Sequence, residues 1–121
     1  MSLCIVTAAG LIKLAASTFT LGWTHSIEKT RWEEDWRVTE QGLLLEEARI
    51  EHMGAGMEPG DGARFDGRWW RWTPKVPALP EVLLRRSDAI PQGWSLCANG
   101  QCQRIGTPQD GGDIMVMKPC P

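Results

Sequence analysis

Between Thr18 and Val38 the chain keeps a period of two, and that pattern constrains the fold more than any other feature of the sequence. Phe19, Leu21, Trp23 and Ile27 fall on one side, and Thr18, Thr20, Gly22, Thr24 and Ser26 on the other. After "EKT" the alternation resumes, with Trp32, Glu34, Trp36 and Val38 opposing Arg31, Glu33, Asp35 and Arg37. Successive side chains of a strand point to opposite faces, so the stretch reads as two half-buried strands and a short connection. A helix would leave Ile27 and Val38 pointing away from the Trp32 and Trp36 pair. Two polar residues, His25 and Glu34, stand on the apolar side.

A hairpin turning over residues 28–31 opposes Ile27 to Trp32, Trp23 to Trp36 and Leu21 to Val38. The same register sets His25 against Glu34. A slip of one residue would turn both tryptophans onto the charged side, so the competing registers lie two residues away. Facing each other, an imidazole and a carboxylate are close enough to bond, and each makes burial of the other tolerable. Two readings stand. The pair is a general acid/base or ligand site in which Glu34 orients His25, or it is a core pair that fixes register.

The rest of the chain is cut into short segments, with 13 glycines and 8 prolines spread along its length. "SLCIVTA" and "LIKLAA" read as a first hairpin, and "LLLEEARIEH" as a strand presenting Leu44, Ala48, Ile50 and His52 on one face. "RWWRWTP" is a short strand ended by Pro74, and "KVPALP" an extended connector. "EVLLRRS", "GWSLCA", "QCQRIG" and "DIMVMK" supply further strands. The expectation is an all-β fold, a single domain over residues 1–121, built as an antiparallel sandwich or barrel of about nine short strands.

In "LCANGQC", Asn99-Gly100 between extended residues is a strong hairpin signal, and it brings Cys97 and Cys102 to opposed positions within disulfide range. No Lys or Arg precedes the apolar run 3–12, and Lys13 interrupts it before it reaches spanning length. It reads as a core strand, so a cytoplasmic chain with reduced cysteines is expected, the periplasm being the alternative. The formal charge of −2 argues against broad attraction to phosphate backbones or anionic membranes. No nucleic-acid partner and no membrane insertion are expected. Two histidines with no ligand-spaced His or Cys pair give no reason to expect a metal, and no cofactor signature is present.

"GRWWRW" suits sugar stacking or cation–π contact; Trp70 and Trp72 share a face that fills a core, which leaves Trp69 as the exposed candidate. "MGAGMEPGDG" lacks the Lys and following helix of a phosphate loop and is expected to pack over one end of the sheet.

Taken together, "FTLGWTHSIEKTRWEEDWRV", "GAGMEPGDGA" and "GWSLCANGQC" resemble a bacterial domain of unknown function often encoded beside TRAP transporters of the TAXI type. The resemblance implies an accessory role near membrane transport and gives no mechanism; with the polar site, the reading is an accessory or regulatory binding protein, non-catalytic, with a transporter component as a partner. Its motif positions map to His25, Ser26, Lys29, Glu34, Gly54, Ala55, Gly56, Met57, Glu58 and Pro59. The expected site is therefore His25, Ser26, Lys29 and Glu34, roofed by a loop containing Gly54, Ala55, Gly56 and Glu58, for a small anionic or hydroxylated ligand. A small carbohydrate-binding domain using exposed Trp is the second reading, and an enzyme using the His25 and Glu34 pair the third.

Overall fold

The computed structural model of the chain describes residues 1–24, 29–52, 59–86, 92–107 and 112–121. Among these, eleven strands form two antiparallel sheets packed face to face. The smaller sheet holds β1 (Ser2–Thr7), β2 (Gly10–Leu14), β8 (Val82–Arg85) and β11 (Ile114–Cys120), in the order β2-β1-β11-β8. The larger holds β3 (Thr18–Thr24), β4 (Arg31–Thr39), β5 (Gly42–Ile50), β6 (Arg64–Phe65), β7 (Trp70–Trp72), β9 (Trp94–Ala98) and β10 (Gln101–Ile105). Its order is β10-β9-β3-β4-β5-β7-β6. Neither sheet closes on itself, so of the two expected architectures the sandwich is the one formed. The expected segments all become strands, and β6, only two residues long, is the addition.

The core lies between the sheets and joins the alternate residues of both. Leu3, Ile5, Leu84, Met115 and Met117 from the small sheet meet Phe19, Leu21, Trp36, Val38, Leu43, Trp94, Leu96 and Ile105 from the large one. Each fully buried Leu, Ile or Met contributes about 1.5–3 kcal/mol of transfer free energy. The chain ends are tied through this layer, because β1 and β11 pair along Ser2 to Val6 and Cys4 is bridged to Cys120.

Asn99 and Gly100 both take positive φ, 54° and 78°, as a two-residue turn of the mirror-image kind requires. Cys97 and Cys102 then oppose each other and are bridged, their Cα atoms 4.0 Å apart. All four cysteines are in disulfides, which corrects the expectation of reduced thiols. "KVPALP" runs extended and returns to the large sheet: Leu43 N donates to Leu79 O at 2.7 Å and Leu79 N to Leu43 O at 2.9 Å.

The β3–β4 register also differs from expectation. Phe19 opposes Trp36, Leu21 opposes Glu34 and Trp23 opposes Trp32. The faces are those the alternation gives, but the partners are displaced by two permitted steps. The observed register makes two aromatic pairs where the expected one makes only Trp23 against Trp36. Phe19 and Trp36 stack 6.2 Å apart at 4°, and Trp23 and Trp32 stack 5.8 Å apart at 7°. Each such pair is worth about 0.5–1.5 kcal/mol beyond its buried area. On the opposite face the Thr20 hydroxyl donates to Asp35 Oδ1 at 2.7 Å, which fixes the same alignment.

A second correction concerns β5. Between Asp35 and Trp36 the β4–β5 register shifts, so that Trp36 opposes Leu45 while Asp35 opposes Glu47. Glu46 is the extra residue of a bulge. The bulge reverses parity along the strand: Leu43 and Leu45 face inward before it, Ala48 and Ile50 after it. Leu44 therefore does not share the face of Ala48 and Ile50, and β5 ends at Ile50, leaving His52 exposed beyond it.

Candidate functional site

Glu34 enters the inner face of the large sheet because β4 keeps its alternation through Trp32, Glu34 and Trp36. Its strand neighbours are Leu21 and Ala48. The Trp36 indole Nε1 donates to Glu34 Oε1 at 3.3 Å. Burial raises the Glu34 pKa above the usual 4.5, and the Trp36 hydrogen bond opposes that rise only in part. A carboxyl kept partly away from water and biased toward its neutral form can donate as well as accept a hydrogen bond.

Around Glu34 the inner face is aromatic. Trp32 stacks on Trp23, and Trp72 meets Trp32 edge to face at 6.1 Å and 82°. The register explains the grouping: Trp32 opposes Ile50, Glu34 opposes Ala48, and Ala48 opposes Trp72 on the next strand. Phe19, Leu21 and Trp36 are sealed in the core, whereas Trp23, Trp32 and Trp72 are only half-buried. The indoles thus form the margin of the core, with two ring planes nearly perpendicular. Gly60 closes on Trp72 so tightly that a Cβ there would collide with the indole, and this places loop backbone against the cluster.

The opposite face of the same strands is a lattice of charges. The Arg49 side chain, only 11% exposed, donates to Glu33 at 2.7 Å and to Asp35 at 2.8 Å, and lies 3.7 Å from Glu47. Arg31 bonds Glu33 at 3.2 Å and Ser95 Oγ at 2.6 Å. Arg71 links Glu47 to Asp66, and Arg37 pairs with Glu46. Burial would raise the Asp35 pKa, but hydrogen bonds from Arg49 and Thr20 outweigh it and hold the group low. The backbone N–H of Trp69, the Arg71 side chain and the N–H of Arg68 hold Asp66 far below the usual carboxylate range. An open groove of about 710 Å³ runs over Asp35, Glu46, Glu47, Arg71 and Trp72. Of its charged walls, Glu47 and Arg71 pair with each other, Asp35 with Arg49 and Glu46 with Arg37, and Asp61 and Arg64 also line it.

Of the expected site residues, Glu34 and Lys29 are described. Lys29 is exposed, with a positive φ of 53°, two residues before β4. His25, Ser26, Gly54, Ala55, Gly56 and Glu58 lie outside the described residues. Glu34 opposes Leu21 rather than His25, so the cross-strand geometry that supported an acid/base pair is not formed. The aromatic expectation is also reversed. Trp69 is 7% exposed, with the Arg49 and Arg68 guanidinium groups 5.5 and 4.9 Å from its ring, whereas Trp70 and Trp72 are half-buried. Asp66 accepts from the Arg68 and Trp69 amides in the turn before β7, and Trp69, at the parity of Arg71, is buried beneath Arg49 and Arg68 on the charged face rather than in the core. The Trp23, Trp32 and Trp72 cluster was missed, although its signal, a tryptophan on each strand at matching parity, is in the sequence.

A family model described as a domain of unknown function (DUF1850) matches residues 19–105. That span is well over half of the chain, and the chain belongs to this family. No curated protein matches the chain, and no solved structure does.

Proposed function

We propose that this DUF1850 domain is a non-catalytic binding protein, accessory to a TRAP-type transport system of the TAXI kind, that takes a small hydroxylated ligand at the Trp23, Trp32, Trp72 and Glu34 margin. The observation that carries the binding reading is the half-buried carboxyl set among three half-buried indoles at the edge of the core. Aromatic faces and a carboxyl able to donate or accept are the groups that recognise the C–H faces and hydroxyls of a polyol or sugar. Of the two expected ligand classes, the hydroxylated one suits this margin better than the anionic one, because an ionised Glu34 would repel an anion. The transport link rests on the resemblance of the "HSIEK" and "GAGMEP" stretches to domains encoded beside such carriers.

Both disulfides support work in an oxidising compartment, the periplasm rather than the cytoplasm, since thiols are kept reduced in the latter. The carbohydrate reading survives in a new place: the indoles that favour it are Trp23, Trp32 and Trp72, not Trp69.

The test is a thermal-shift and tryptophan-fluorescence titration with hexoses, disaccharides, polyols, amino acids and dicarboxylates on wild type, Trp32→Ala and Glu34→Gln. A hydroxylated compound should raise the melting temperature of wild type and act at least about tenfold more weakly on both variants. A response confined to dicarboxylates, or one equal in all three proteins, would contradict the assignment.

A further inference from the structure

The outer face of the small sheet is unlike the rest of the surface. On it the register lines up Leu11, Val6, Val116 and Leu83 in one row across all four strands. Leu11 is 62% exposed, Leu83 59% and Val6 40%. Ile114, two residues from Val116 on the same face, is 42% exposed. Strand alternation leaves this row outside because the inward positions are taken by Leu3, Ile5, Leu84, Met115 and Met117. Solvated sheet faces carry polar residues at such positions, and a continuous apolar row across a sheet marks a surface that meets something.

The charges on the same face have one sign. Lys13 and Lys118 flank Cys4 in the next row, and Arg85 stands opposite Ile114 on the other side. All three are exposed, and among the described residues none makes an ion pair. No Asp or Glu occupies any position of β1, β2, β8 or β11; the nearest acids in sequence, Glu81 and Asp113, precede the strands. The net charge of −2 conceals this local excess of cations.

We infer that the outer face of the small sheet docks on an anionic lipid surface, the Leu11, Val6, Val116 and Leu83 row entering the headgroup boundary while Lys13, Lys118 and Arg85 bind lipid phosphates. A row of aliphatic side chains bordered by cations on both sides complements a surface that is apolar beneath and negative above. Four strands spaced about 4.8 Å and roughly five residues deep span only a few hundred Å². A specific protein interface needs about 800 Å² per partner, with aromatic anchors that this face lacks. A lipid surface needs neither. The contact is peripheral: among the described residues no helix is long and apolar enough to cross a membrane, and the strands belong to the two open sheets.

The experiment is co-sedimentation of the full chain with vesicles rich in phosphatidylglycerol and with vesicles of phosphatidylcholine alone. Binding to the first, weakening with added salt, and none to the second is expected. The pairs Leu11→Ser/Leu83→Ser and Lys13→Glu/Lys118→Glu should each lose at least about tenfold in binding, while Arg104→Glu on β10 keeps it. All substituted side chains are exposed, and matching circular dichroism and melting curves verify folding. Absence of binding to phosphatidylglycerol, equal binding to both vesicles, or undiminished binding by either double variant would overturn the inference. So would a soluble polyglutamate peptide that binds the face as tightly as the vesicles do, because an acidic protein would then be the better partner.

Discussion

The two outer faces of the sandwich solve the problem of facing outward in opposite ways. On the large sheet, Arg31, Glu33, Asp35, Arg49, Glu47, Arg71 and Asp66 bond one another across β4, β5, β7 and the turn before β7, so these charges are satisfied by one another. On the small sheet there are no such pairs among the described residues; its terminal strands are joined by the Cys4–Cys120 disulfide, whose half-cystines share that outer face. A face that closes its own bonds asks nothing of a partner. A face with an apolar row and cations unpaired among the described residues leaves both open to a partner, and a covalent staple joins its two central strands.

The largest effect should come from removing that staple. Cys4 and Cys120 close a loop spanning 116 positions, and chain-entropy arguments give such a bridge about 5 kcal/mol. Cys4→Ala/Cys120→Ala should lose about 3–5 kcal/mol in denaturant unfolding, against about 2 kcal/mol for Cys97→Ala/Cys102→Ala, whose loop is short. Equal losses would show that the small sheet does not depend on its tie more than the hairpin does.

Next in size is Arg49→Met. It leaves Glu33, Asp35 and Glu47 without their shared cation on a partly buried face and should cost about 2–3 kcal/mol at neutral pH. The loss should shrink in acid. Asp35 and Asp66 have folded pKa values below the ordinary 3.8, so the stability they contribute is present above 3.8 and is lost as pH falls below it toward the folded values. An acid limb that starts well above 3.8 would mean that other groups govern unfolding.

Glu34, on the inner face between the two surfaces, has the opposite sign. Its folded pKa is raised, so its contribution is complete below 4.5 and is lost as pH rises through the folded value. Glu34→Gln should therefore stabilise by about 1 kcal/mol at neutral pH, the gain disappearing below 4.5. Such a gain identifies a carboxyl retained at a cost to stability. A loss at all pH values would make Glu34 a structural acceptor for Trp36. The smallest effect belongs to Lys13→Glu/Lys118→Glu, which should leave stability within about 0.5 kcal/mol.

Most of the fold was legible because strand alternation needs only neighbouring residues. Face assignments in β3 and β4, the Asn99-Gly100 turn and the Cys97–Cys102 pairing all follow from local pattern. What escaped was set by partners distant in sequence. Registers of β3 and β4 that differ by two residues all keep the apolar side inward, and the stacking of Phe19 on Trp36 and Trp23 on Trp32, with the Thr20–Asp35 hydrogen bond, decides among them. The Glu46 bulge is visible in the sequence as a change of parity from Leu43 and Leu45 to Ala48 and Ile50, a signal readable once the register of β4 is known. Cys4 and Cys120 sit in strands at opposite ends of the chain, and nothing local joins them. Of the candidate site, Glu34 was found from its intrusion into an apolar face, but its aromatic company required four strands, β3, β4, β5 and β7, to be aligned.

The difference between the faces can be read most directly on the unmodified protein by measuring acetylation of its four lysines, by mass spectrometry, with and without phosphatidylglycerol vesicles. Lys13 and Lys118 share the apolar row's face, whereas Lys29 and Lys75 lie outside both sheets. Slower labelling of Lys13 and Lys118, with Lys29 and Lys75 unchanged, is the result predicted. Uniform protection of all four lysines, or none at Lys13 and Lys118, would contradict the assignment of distinct roles to the two faces.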